Sequence, residues 1–253
     1  MPFDVDRLRT LRPQNEIHFF PALPSTMTQA ARLAAAGAPH GAIILADEQT
    51  AGQGRLGRSW HSQPELGIYA SIILDLPLAP ASVPIASLLL GLATAEAIHE
   101  STQLICDLRW PNDVLISERK VAGILAHLAD SRIIAGIGIN VNHTSFPAGL
   151  RTPATSLRIE SNGRLQSREA LIANLLQSLD TFCSLLAAQG PGSILRAFTS
   201  ASSYALHRRV IVEDSGESGI TAGLDENGFL LVEADSGRLY RVASGGIRPA
   251  QPE

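Results

Sequence analysis

The chain has 253 residues, 45% of them hydrophobic and 17% charged, with a formal net charge of −4. That length suits one large domain or a large and a small one, the apolar content supplies a real core, and disorder over most of the chain is excluded. The absence of a basic tail or block argues against nucleic acid as the main partner, and Cys106 and Cys183, far apart in apolar surroundings, read as free thiols of a reducing compartment.

The first residues, MPFDVDRLRTLRPQNEIHFF, carry acids and no apolar core ahead of a cleavage site, so they are not a signal peptide. STMTQAARLAAAG reads as a helix, with Ser25 or Thr26 as N-cap and Gly37 as its stop. GAIILAD is an apolar, β-branched strand. It leads into ADEQTAGQGRLGRSW, where Gly52, Gly54 and Gly57 satisfy G-x-G-x-x-G. A dinucleotide site needs a helix opening at those glycines; RSWHSQPELG, with Pro64 and no helical period, does not supply one. Two readings remain. Backbone N–H groups with Arg55 and Arg58 can wrap an anion, or the stretch is a surface turn with solvated arginines.

SIILDL is a further strand. Leu76 to Ala95 carries no charge and has about the length of a membrane span. Pro77, Pro80 and Pro84 break its first half, leaving a core helix over 84–100, so a cytoplasmic protein without a membrane partner is expected. LRWPNDVLI then sets Trp110, Pro111, Asn112 and Asp113 between strand-like runs. This is either an ordinary turn or a place where Asp113 holds Mg2+ or orients a phosphate-binding cation while Asn112 donates to an oxygen.

KVAGILAHLAD and RIIAGIGINVN are strands joined by a tight hairpin at Asp130-Ser131. Strict alternation places Lys120, Ala122, Ile124 and Ala126 on one face. Lys120 is the only lysine; the other nineteen basic residues are arginine. Either codon usage left it there, or the position needs a compact point charge that a planar fork cannot replace. Gly136 and Gly138 leave room for a close approach to the strand backbone, or merely ease its twist. An amphipathic helix follows over 167–190 and a shorter one over GSILRAFTSAS. After about residue 204, HRRVIVED, SGITAGLDE, GFLLVEA and RLYRVAS are short strands with Gly-containing turns, the pattern of a small β-barrel. A boundary near 203 divides the chain into 1–203 and 204–253. An anion loop, an Asn-Asp turn, one lysine and two glycine-spaced strands suit an enzyme that brings a nucleoside triphosphate against a small carboxylic acid.

These segments, in this order, resemble the biotin protein ligase family. QTAGQGRLGR is similar to its biotin- and phosphate-binding loop, RWPNDV to its Lys-Trp-Pro-Asn-Asp segment, RKVAGIL to its catalytic-lysine strand, GIGINVN to the glycine strand after it, and PSTMTQA to its Ser-Thr-Asn helix start. The resemblance implies an α+β fold: a mixed-sheet catalytic domain flanked by helices, class II synthetase-like, of the biotin/lipoate ligase type, with a small C-terminal SH3-like β-barrel. It also implies a two-step reaction. Biotin and ATP, with Mg2+, give biotinyl-5′-AMP, from which a lysine of a biotin carboxyl carrier protein, of acetyl-CoA carboxylase or another biotin-dependent carboxylase, takes the biotin.

By the same resemblance Ser25, Thr26 and Gln49 meet the biotin ring. Gly52, Gln53, Gly54 and Arg55 fold over biotin and the adenylate, with Gly57, Arg58 and Trp60 completing the loop. Lys120 bridges the biotin carboxylate and the α-phosphate; Lys120 and Arg55 are the catalytic pair. Asn112 and Asp113 place phosphates and, indirectly, Mg2+. Gly123, Gly136, Gly138 and Asn140 line the floor. The chain departs from the pattern at Gln53, where the loop's first arginine is usual, at Met27, where Asn is typical, and at Arg109, where Lys is usual.

The chemistry needs little acid–base help. A preplaced cation stabilises the charge that gathers on phosphorus, and an ordered loop keeps water from the adenylate. Lipoate–protein ligase and a non-catalytic biotin- or carrier-binding module are the competing readings. Since the Ser-Thr helix start lies at residue 25, no winged helix and no sequence-specific DNA binding are expected. Sheet-edge pairing into a homodimer is a further expectation.

Overall fold

The computed structural model describes residues 2–250. Its larger sheet takes β1 (Ile17–Leu23), β2 (Ile43–Gln49), β3 (Gly67–Leu74), β4 (Asp107–Arg109), β5 (Asp113–Ile116), β6 (Arg119–Ala129) and β7 (Arg132–Asn140). The strand order is β1-β2-β3-β7-β6-β5-β4. β1 runs parallel to β2, and the remaining neighbours are antiparallel, so the sheet is mixed as expected.

β3 is buried along its whole length because both faces of the sheet are covered. Alternate side chains of β2 and β3 go to opposite layers. Ile43, Leu45, Ile72 and Leu74 join the main core, while Ile44 and Ile73 meet Ala30 of α2 (Thr26–Ala35). Over the main core lie α3 (Val83–Thr102), α5 (Arg168–Gln189) and α6 (Pro191–Ala201). By length and composition α3 and α5 could each cross a membrane; in α3, Leu88, Leu89 and Leu90 are fully buried against the sheet and neighbouring helices. Such burial contributes about 1.5–3 kcal/mol per large aliphatic side chain.

α2 ends where expected, with Gly37 at a φ of +90°, a conformation in which a side chain is strained. Its start differs. Ser25 occupies the N-cap without a side-chain bond, and the Gln49 side-chain Oε1 accepts from the Thr26 amide at 2.9 Å instead. The hairpin between β6 and β7 turns at Asp130-Ser131, with Asp130 at a φ of 53°. Besides the one-turn α4 (Leu157–Glu160) and the last strand, two elements had no counterpart in the sequence reading. α1 (Val5–Leu11) is capped by the Asp4 side chain, which accepts from the Arg7 amide. β1 is an edge strand interrupted by Pro21, a residue that weakens a strand signal and is tolerated only where one side is unpaired.

The C-terminal strands are β8 (Leu206–Val212), β9 (Ser218–Leu224), β10 (Leu230–Ala234), β11 (Leu239–Val242) and β12 (Ile247–Pro249). They form an antiparallel sheet in the order β11-β10-β9-β8-β12. Among the described residues no ladder joins β11 to β12, so the small β unit is not closed by strand pairing. Its Val210, Val212, Leu230, Val232 and Ile247 belong to the same buried cluster as the larger sheet, and the Trp110 indole N–H donates to the Gly228 carbonyl at 3.0 Å. The two sheets therefore meet over a packed surface, and the cavity described next lies between them.

Candidate active site

A cavity of about 430 Å3 opens between the β6–β7 face, the 52–60 loop, the 146–154 segment and the start of β12. Its lining carries four cationic side chains, Arg55, Arg58, Lys120 and Arg151, against two carboxylates, Asp113 and Glu213. This excess of positive charge in a partly dry site favours a polyanion.

Lys120 reaches the cavity through an irregularity that alternation cannot foresee. In the β5–β6 ladder Val114 faces Ala122 while Leu115 faces Lys120, so Val121 is an extra residue, a bulge. The bulge moves Lys120 off the Ala122 face and onto that of Gly123. A Cβ built on Gly123 would lie 3.0 Å from Lys120 Cε and 2.7 Å from the Trp60 ring. The expected grouping of Lys120 with Ala122 and Ile124 is thereby corrected. The 153–155 segment fixes the bulged strand: the Lys120 amide donates to Pro153 O at 2.7 Å, and the Thr155 amide donates to Lys120 O at 2.9 Å.

The Lys120 ammonium sits 2.5 Å from Asp113 Oδ1, and Arg109 Nη2 sits 2.6 Å from Asp113 Oδ2. Burial alone raises a carboxyl, but these two cations, by charge and hydrogen bond, hold Asp113 below its ordinary value. The carboxylate thus stays charged and fixes the lysine. Arg109 also donates to Thr152 Oγ1 at 2.8 Å. Asn112, expected to donate to a phosphate, lines the cavity, but its amide N–H2 already donates to Ile124 O at 2.8 Å. It staples the Trp-Pro-Asn-Asp turn to β6. Likewise Asn140 Nδ2 donates to Thr155 O at 3.1 Å.

The glycine loop opens no helix. Trp60 N–H donates to Gly52 O at 2.9 Å and Gly54 N–H to Arg58 O at 2.7 Å, folding it back on itself. A single 3-10 turn, Arg55–Gly57, caps the fold-back, with Leu56 at a φ of 56° and Gly57 at 70°. Gln53 pairs there with Ser59. Arg55 donates to Gly245 O at 2.7 Å, and burial pulls its guanidinium below its ordinary value despite nearby Asp113. Arg58 Nη2 lies 3.5 Å from Glu213 Oε2.

Trp60 lies over the paired Gly123 and Gly138; a Cβ on Gly138 would come within 2.7 Å of its Nε1. That Nε1 is buried without a partner among the described residues. Met27 covers Gly136 in the same way, with Sδ 2.7 Å from a Cβ there. Gln49 caps α2 and donates to Ser62 Oγ at 3.3 Å, and Gly52 is required because a Cβ would press on Trp60 O at 2.8 Å.

Most residues singled out in the sequence therefore converge on one cavity. Ser25, Gly52 and Gly57 do not line it, although Ser25 is buried close by. The sequence reading missed Arg151 and the C-terminal contributors Glu213, Gly245 and Gly246. The only trace of them was a Gly-Gly pair before a short strand. Among the described residues no group of three or more His, Cys, Asp or Glu could hold a metal ion.

Residues 19–143 match the biotin/lipoate A/B protein ligase family. The chain is 34% identical to the bifunctional ligase/repressor BirA of Bacillus subtilis over 235 residues, covering 89% of this chain and 71% of that protein. It is 32% identical to the biotin–[acetyl-CoA-carboxylase] ligase of Mycobacterium tuberculosis over 228 residues, covering 86% of this chain and 82% of that one. The structure of the Aquifex aeolicus biotin protein ligase in complex with biotin and ATP superposes with a TM-score of 0.80 at 29% identity, covering 92% of this chain and 97% of that one.

Proposed function

The chain belongs to the biotin protein ligases of the biotin/lipoate A/B protein ligase family, and we propose that it activates biotin with ATP and passes it to a lysine of a carrier protein. In the first step a biotin carboxylate oxygen attacks the α-phosphorus, the bond to the β-phosphate oxygen breaks, and diphosphate leaves with biotinyl-5′-AMP retained. In the second step a lysine amine attacks the acyl carbon, AMP leaves, and the amide forms with loss of a proton.

The observation that carries this reading is the Lys120 ammonium, held by Asp113 beneath a glycine loop that brings further cations. Lys120 bridges the carboxylate and the α-phosphate, where negative charge increases in the transition state. Arg55, with Gly52, Gln53, Gly54, Gly57 and Arg58, closes over the adenylate. Trp60, Gly123, Gly136 and Gly138 form the floor, its indole N–H free to donate to substrate. Thr26 and Gln49 border the ring site, Asn140 belongs to the floor, and Ser25 supports the site from behind. Asn112 works by holding the turn that presents Asp113. A magnesium ion arriving on the triphosphate would neutralise phosphate charge, and Asp113, whose two oxygens already meet Lys120 and Arg109, would act on it only indirectly, by fixing those cations beside the phosphates.

Residues 1–203 supply the biotin and ATP sites, and residues 204–253 a wall of the cavity. The acceptor is the biotin carboxyl carrier protein of acetyl-CoA carboxylase or another biotin-dependent carboxylase. The protein acts in the cytoplasm, in keeping with its free thiols. A homodimer would pair through a sheet edge. Mixing the protein with biotin, MgATP and an apo carrier domain should add the mass of one biotinyl group to one carrier lysine. No gain with biotin, but one with lipoate, refutes the assignment.

A further inference from the structure

Glu213 follows directly on β8 on the far side of the cavity, and its side chain is only 9% exposed. A carboxylate so placed needs partners. It takes Arg58 of the glycine loop at 3.5 Å through Oε2 and Arg151 at 3.2 Å through Oε1. Its own amide donates to Gly246 O at 2.9 Å. This binds it to the Gly245-Gly246 turn, where Gly245 O receives Arg55. A Cβ on Gly246 would lie 3.1 Å from Glu213 Oε2. Both arginines of the glycine loop therefore end on one small patch of the C-terminal sheet, one on a carboxylate and one on a carbonyl. Arg151 joins them from the segment that also fixes the Lys120 backbone.

We propose that Glu213 is a positioning residue, a latch by which the C-terminal sheet holds the glycine loop closed over the acyl-adenylate. The inference rests on the loop's role given above. Because Arg58 and Arg151 are 48% and 53% exposed, the latch is screened by salt and modest in strength. Its loss should appear as escape of the intermediate and leave the first chemical step nearly unchanged.

The test supplies biotin, MgATP and a lysine-rich bystander protein, and reads bystander labelling per adenylate formed. Glu213→Gln should raise leakage about three- to tenfold, with single-turnover adenylation within about twofold of wild type. Raising ionic strength should increase leakage in the wild type and add little in the variant. Glu213→Asp, which keeps the charge, should leak less than Glu213→Gln, and Arg58→Gln combined with Glu213→Gln should leak no more than the worse single variant. A loss of stability alone produces neither the salt effect nor this coupling. If Glu213→Gln does not fold, Arg58→Gln and Arg151→Gln, both at half-exposed side chains, must show the leak instead. Wild-type leakage from these variants while Arg55→Ala leaks freely overturns the latch. Wild-type leakage from Arg55→Ala as well means that the loop reading itself has failed, and the latch with it.

Discussion

Replacing Lys120 with arginine keeps the positive charge and should still cost most of the activity. The lysine chain runs directly over Gly123, with Cε only 3.0 Å from where a Cβ would stand, and its ammonium meets Asp113 at 2.5 Å with the Trp60 ring centroid 5.5 Å away. A guanidinium is longer and planar, so it must displace the indole or stop against Asp113. It also spreads its charge over three nitrogens and cannot face two oxygens as a point. Losing one preorganised contact of this kind lowers kcat on the order of 10²–10³, about 2.7–4 kcal/mol. Pyrophosphate release in a single turnover with biotin and MgATP measures the step without the carrier. The loss should appear in kcat as well as kcat/KM, because the contact strengthens in the transition state. A Lys120→Arg enzyme within about threefold of wild type would falsify the bridging role and leave codon usage as the reason for the single lysine.

Three further outcomes are expected. Gly138→Ala places a methyl against the Trp60 indole; since the ring belongs to a loop, the loop should move rather than the core, weakening biotin binding about tenfold or more with little change in Tm, and an unchanged affinity by calorimetry refutes the close approach. Asp113→Asn leaves Lys120 and Arg109 facing each other without their buried counter-charge and should destabilise by about 3–5 kcal/mol near neutral pH. Because the folded Asp113 carboxyl lies below its unfolded value, its contribution is present above about pH 4 and fades as pH falls through the folded value; thermal melts should therefore show the gap to wild type narrowing as pH falls below about 4, and a constant gap contradicts the ion-pair account. With Lys120 the sole lysine and already engaged by Asp113, the enzyme should resist its own acyl-adenylate except at its N-terminus; peptide mapping after long incubation with biotin and MgATP should find no other modified site.

The sequence by itself determined the parts whose meaning is local. A loop of three glycines with Arg55 and Arg58, a Trp-Pro-Asn-Asp turn, one lysine, and the strands carrying Gly123, Gly136 and Gly138 are short patterns, and each was legible within about ten residues. Their convergence on one cavity was implied only by the resemblance of the whole series to the ligase family. Strand alternation failed at Lys120, because a bulge is set by the ladder with the neighbouring strand and Val121 carries no mark of being the extra residue. Asn112 and Gln49 were expected at the ligand site and both line the cavity; what the sequence did not show is that their amides also serve Ile124 O and the start of α2, since buried backbone groups left without a helix or strand partner must find a side chain. β1 stayed hidden because an edge strand with a proline has a weak signature. Only the tertiary structure decided that Glu213 and Gly245 close the site. They lie 155 and 190 positions along the chain from the arginines they hold, and no periodicity reaches across that distance: such a contact exists only once both sheets have packed on their shared core.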